Sequence, residues 1–198
     1  MNHFEYVMVL ISIIIGLGIA HILLGIGGIV DRLTGRGERL RLGVAHGAWL
    51  THTFFWLVLF WWWQFRLDVI WEEEWTIGVY LFLVMYAVVL FLLAVILVPR
   101  DWDGVTDLDD FFLRRRTWFY SLWIVGNLLD MLDSWLKGGM DYIVLQVGPW
   151  VITYWLAAIV LAAIGIRVRS IRYHAAVGVG LLLLDFATSV VALPRLGF

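Results

Sequence analysis

Long stretches of the chain are apolar at every position, with no two-residue alternation, and the charged residues collect between these stretches. A bilayer core of about 30 Å takes about 20 residues of helix, because lipid offers backbone groups no hydrogen-bond partner. Six segments are predicted to span on this criterion: Phe4–Val30, Gly43–Phe65, Trp75–Val98, Thr117–Leu136, Tyr142–Ile166 and Ile171–Leu193. Transmembrane strands would alternate and are excluded. The fourth segment is the shortest by hydropathy, since its uncharged stretch from Thr117 ends at Asp130. The expected fold is all-α, a polytopic bundle of six spans in which residues 1–198 form one membrane domain with no soluble domain. The first segment carries Glu5, lacks a basic flank and outruns a signal-peptide core, so it is expected to remain in the mature protein.

Composition agrees with the pattern. The 198 residues are 63% hydrophobic and 15% charged, with a mean hydropathy of +0.90, whereas soluble domains run at about 45–50% apolar and about 25% charged. A soluble globule of this size would be left with large apolar patches. A net charge of −2 argues against a nucleic-acid partner, and the absence of cysteine excludes a disulfide-stapled or iron–sulfur protein.

Arginine placement predicts orientation. Arg32, Arg36, Arg39 and Arg41 follow the first span, Arg100, Arg114, Arg115 and Arg116 the third, and Arg167, Arg169 and Arg172 the fifth, leaving Arg66, Lys137 and Arg195 for the other side. Because Lys and Arg favour cytoplasmic loops, both termini are expected outside. The arginine loops are expected to lie against anionic headgroups. Trp61, Trp62, Trp63, Trp71, Trp75, Trp135 and Trp150 then fall at the outer interface, where indole rings concentrate. The outer turn adds Asp68, Glu72, Glu73 and Glu74.

Ionisable residues inside spans are costly unless protein or water shelters them. At 100° per residue, Asn127, Asp130 and Ser134 share a face of the fourth span with Asp133 beside it, and His174, Gly178 and Asp185 share a face of the sixth. His46, Thr53 and Gln64 align on the second, and Glu5 and Ser12 on the first. Asp130 and Asp185 both fall about 20 Å from the cytoplasmic ends of their helices, and His46 and His174 about 5 Å from them. These residues predict a polar lane with imidazoles at the inner mouth and carboxylates in the outer half. Two carboxylates brought together away from water cannot easily both ionise, so the pair is expected to hold one proton near neutral pH.

Other features sort themselves around this lane. His21 and His52, at equal depth on neighbouring spans, are an alternative pair of haem b ligands; otherwise no cofactor and no metal is expected. The Trp49, Trp56, Trp63 stripe reads as packing or lipid contact. Small residues at Gly16 and Ala20, Gly43 and Gly47, and Ala176 and Gly180 suit close helix packing, and the first two pairs are the expected contacts of a homo-oligomer. Segment 106–113, capped by Thr106 or Asp107, is expected to form a short interfacial helix, and its acidic run lacks the glycine position and closing Glu of a calcium loop. No nucleophile elbow, metalloprotease helix, P-loop or dinucleotide fingerprint occurs, so no enzymatic activity is expected.

The opening Phe4-Glu5-Tyr6, with Ser12-Ile13-Ile14-Ile15-Gly16-Leu17-Gly18 and Leu23-Leu24-Gly25, resembles a group of small uncharacterised bacterial multi-span inner-membrane proteins. Asp107-Leu108, Phe111-Phe112, Arg115-Arg116 and Trp118-Phe119 are similar to a second signature of that group. The resemblance implies a bacterial inner membrane and no activity. The lane itself suggests a small proton or monovalent-cation channel or transporter. A haem-binding or accessory subunit of a respiratory complex, and a structural or lipid-organising protein without flux, are the alternatives.

Overall fold

A computed structural model describes the backbone of residues 3–35, 40–70 and 76–192, and the side chains of 5–35, 40–64 and 76–189. Arg36 and Arg39, Trp71 and Trp75, and Glu72, Glu73 and Glu74 lie outside the described residues. The described backbone is helical: α1 (His3–Thr34), α2 (Val44–Ile70), α3 (Ile77–Leu97), α4 (Leu108–Leu136), the short turn α5 (Gly139–Asp141) with a π-helical segment Tyr142–Val147, α6 (Trp150–Arg167) and α7 (Ile171–Ala192). Among the described residues, α1, α3, α6 and α7 are long and apolar enough to cross a membrane.

Local chemistry explains the boundaries. Thr76 caps α3 by accepting from the Val79 amide at 3.3 Å, and the helix stops at Val98, extended because Pro99 follows. α4 begins where Asp107 accepts from the amides of Asp109 and Asp110 at 2.8 and 3.1 Å. From there it continues unbroken for 29 residues, helped by the Asp110–Arg114 pair at 2.6 Å. The expected interfacial helix at 106–113 and the expected span at 117–136 are therefore one helix. Asp109, Asp110, Arg114, Arg115 and Arg116 lower hydropathy without breaking helical geometry.

The expected fifth span is also corrected. Gly138 and Gly139 take φ of +155° and +63° to reverse the chain, and Gly148, at +115° ahead of Pro149, breaks it again. Residues 142–147 thus form a separate π-helical piece, and α6 begins only at Trp150.

α2 packs chiefly on α1, α3, α4 and α7, and α4 on α2, α3 and α6. α2 and α4 thus stand among the four helices that are long and apolar enough to cross a membrane. Large apolar side chains such as Leu24, Met85, Leu145 and Leu183 remain exposed on the outside, as lipid contact requires.

At one end the connections between helices clasp each other. The Arg41 amide donates to Thr106 O at 2.8 Å, the Leu108 amide to Arg41 O at 3.1 Å, and the Arg41 guanidinium to Asp107 at 3.2 Å. Arg32 donates to Trp102 O at 2.7 Å. These two arginines, among those expected to lie against headgroups, also hold the chain's own connections together. Asp109 accepts from the His46 amide at 3.0 Å, placing a carboxylate at the start of α2, where the helix dipole favours it. A Cβ on Gly43 would collide with that carboxylate, so this glycine, expected in an interchain contact, admits Asp109 of its own chain. Gly16, Gly47 and Gly180 have open space around them.

Candidate functional site

Polar side chains from α2, α4, α6 and α7 meet in the half of the bundle away from the arginine loops. Two adjoining cavities of about 560 and 410 Å³, mouths included, share Trp63, Asp130, Tyr154 and Asp185. The larger extends to Lys137, Trp150 and Ser189; the smaller descends to His52 and Asn127. Together they form one chamber.

Asp130 is pinned. Its two oxygens accept from the Tyr86 hydroxyl at 2.8 Å and from the Trp155 indole N–H at 2.7 Å, so one carboxylate ties α4 to α3 and α6. Tyr86 is oriented in turn by the Trp56 indole N–H at 3.2 Å. Both donors to Asp130 are neutral.

Asp185 is held loosely. Its Oδ2 lies 3.6 Å from His52 Nε2, and the Tyr154 hydroxyl lies 3.5 Å from the same nitrogen, both beyond an ordinary hydrogen bond. It reaches the chamber because α7 lays the face bearing His174, Gly178, Leu181 and Asp185 against α2. The Gly178 backbone comes so close that a Cβ there would stand 3.0 Å from the Trp49 indole nitrogen.

The third carboxylate is neutralised within the chain. Asp133 and Lys137, one turn apart on α4 and both buried, form an ion pair, and the Gln64 amide donates to the same Asp133 oxygen at 3.3 Å. Among the described residues lining the chamber, three carboxylates thus face one ammonium.

The structure brings together Asp130, Asp185 and Asn127, the last donating its amide to Trp123 O at 2.8 Å. Gln64 joins through Asp133. Glu5 is exposed on α1 and lines neither cavity, and its stripe-mate Ser12 donates to Met8 O within its own helix.

The predicted histidine mouth is corrected. His46 Nε2 lies 2.7 Å from Leu97 O, while His174 lies 3.1 Å from Val168 O through Nε2 and 2.8 Å from the Tyr120 hydroxyl through Nδ1. Both are buried pegs on carbonyls freed at helix ends. Beside them the bundle is filled by rings: Trp49 meets Trp123, Phe119 and Tyr120 at centroid distances of 4.8, 5.1 and 5.4 Å. α2 reaches the chamber through His52, Trp56, Leu59 and Trp63, two of them from the tryptophan stripe read as packing or lipid contact, instead of through His46 and Thr53.

His52 stacks on Trp49 at 5.9 Å and turns Nε2 to Asp185, toward α4 and α7. His21 stands on α1, which packs on α3 and α2, and lines neither cavity. The two imidazoles therefore do not share a cavity.

Tyr86, Tyr154, Trp155 and Lys137 were not anticipated. The Asp133–Lys137 spacing of four was a legible signal for a helical ion pair. The neutral donors carried none, because nothing in a stripe of titratable residues says which rings will face it. No protein-family model, curated protein or solved structure matches the chain.

Proposed function

We propose that the chain is a six-span protein of a bacterial inner membrane, both termini outside, that carries protons or a small monovalent cation through the Asp130–Asp185 chamber. One observation carries this reading: carboxylates from two helices line one cavity, and the donors that hold Asp130 are neutral. A carboxylate so placed gains from a proton or a cation that enters. The position of α2 and α4 among the four apolar helices supports six spans, since their polar groups are sheltered from lipid. The ring packing around Trp49 fills the arginine-side half, which favours a carrier that must rearrange over an open channel. The resemblance noted above supports the bacterial inner membrane, and the open glycine face at Gly16 and Gly47 suits a homo-oligomer, to be read as a mass above one chain in mild detergent.

Reconstituted in liposomes, the protein should dissipate a pH or monovalent-cation gradient, and Asp130→Asn should abolish the flux while the helical circular dichroism is kept. Absence of flux from the wild-type chain across pH and voltage would leave the chamber a packing feature. Cysteines at Asp103 and Met140 test orientation in this cysteine-free chain. Met140→Cys should label from outside intact cells and Asp103→Cys should not; the reverse result would invert the topology.

A further inference from the structure

The chamber's chemistry narrows what it accepts. Inorganic cations are held by several oxygens closing on a point, yet among the described residues no group of three His, Asp or Glu side chains is placed to hold a metal ion. The hydroxyl of Thr188, which lines the larger cavity, is turned back to Leu184 O at 2.8 Å and Asp185 O at 3.0 Å. Aromatic side chains supply much of the remaining wall: Trp63, Tyr142, Trp150, Tyr154 and Trp155. Asp130 already has a neutral donor on each oxygen, so as a carboxylate it offers charge more than an empty hydrogen-bond site. Among the described residues, Asp185 has no cation at ion-pairing distance apart from the buried His52 ring, and the one ammonium lining the chamber is taken by Asp133.

Carboxylates inside an aromatic enclosure are the environment that attracts an organic cation, whose diffuse charge and apolar surface suit ring faces and need few hydrogen bonds. The geometry points to a small organic ammonium ion, alkylated on nitrogen, as the ligand of this chamber. Its nitrogen sits between Asp130 and Asp185, and its carbon substituents lie against Trp63 and Trp150. This rests on the reading of Asp130 and Asp185 as open to a cation, and it names the class of cation.

The test compares choline with its uncharged carbon isostere 3,3-dimethylbutan-1-ol, using calorimetry and thermal unfolding of the purified full chain in lipid nanodiscs. Choline should bind saturably and raise the unfolding temperature, while the isostere and equal sodium chloride should bind about tenfold more weakly or worse. Asp185→Asn should weaken choline by about tenfold or more, and Trp63→Leu by a smaller factor. Equal binding of choline and the isostere, or no choline effect beyond that of sodium chloride, overturns the proposal. The comparison uses the wild-type protein, so it decides the matter even where a variant fails to fold. Proton flux without choline binding would remove this inference and leave the transport reading, whereas choline binding without any flux would do the opposite.

Discussion

The same helices build two unlike halves. Toward the arginine loops, α7 places His174 among rings, with Tyr120 on one nitrogen and a backbone carbonyl on the other. Eleven residues further along the same face, Asp185 looks into a cavity with the His52 ring nitrogen 3.6 Å away. Both are polar residues facing inward on one helix. Their difference lies in what the neighbouring helices offer: at the arginine end, helix termini leave unpaired carbonyls that absorb an imidazole, whereas mid-helix backbone is already hydrogen-bonded and can absorb nothing. Polar side chains at helix ends therefore tend to become structure, and those placed mid-helix against a gap remain available for chemistry.

If the hollow half stands because its wall is braced, breaking the brace should give the largest effect. Lys137→Met strands the buried Asp133 carboxylate and is expected to cost about 3–5 kcal/mol, read by unfolding in mixed micelles. The double variant Asp133→Leu, Lys137→Met should recover more than half of that. A loss in the single variant too small to measure would mean that the wall does not depend on the pair.

The central contrast comes next. His174→Ala removes two hydrogen bonds and opens a gap among rings, for an expected loss of about 2–4 kcal/mol, whereas Asp185→Asn should change stability by under about 1 kcal/mol. Equal losses at the two positions would erase the distinction between the halves. The smallest effect concerns glycine. A Cβ on Gly165 would press on the Tyr120 ring, whereas one on Gly180 meets open space. Gly165→Ala should therefore destabilise by about 1–3 kcal/mol, and Gly180→Ala should be neutral or gain up to about 1 kcal/mol from helix propensity.

Much of the scaffold was legible in the residues. Hydropathy places α7 at Ile171–Ala192 and α3 at Ile77–Leu97 within two residues of expectation, because apolar runs and Pro99 mark their limits directly. It misplaced the starts of α4 and α6 for opposite reasons. At residues 109–116 charge hides a helix that continues, and at Gly148-Pro149 apolarity hides one that stops. Within the site, equal depth and shared faces were enough to pair Asp130 with Asp185 at one cavity. Depth alone could not say that His46 and His174 would find carbonyls at Leu97 and Val168. Nor could it show that a tryptophan stripe would wall the chamber. Those outcomes depend on how helices rotate against each other, which the spacing along a single helix does not record.

The paired strand-like residues at Arg41 and Asp107 carry a further consequence. They join two connections separated in the chain by α2 and α3, and both partners must be on the same side of the bilayer to meet. For the six-span arrangement proposed above, an insertion error that leaves just one of these two helices across the membrane puts the partners on opposite faces. Asp109 then fails to reach the first turn of α2 as well. For that arrangement the clasp closes when the second and third helices cross together and stays open when one of them crosses alone, leaving the first turn of α2 without its Asp109 acceptor.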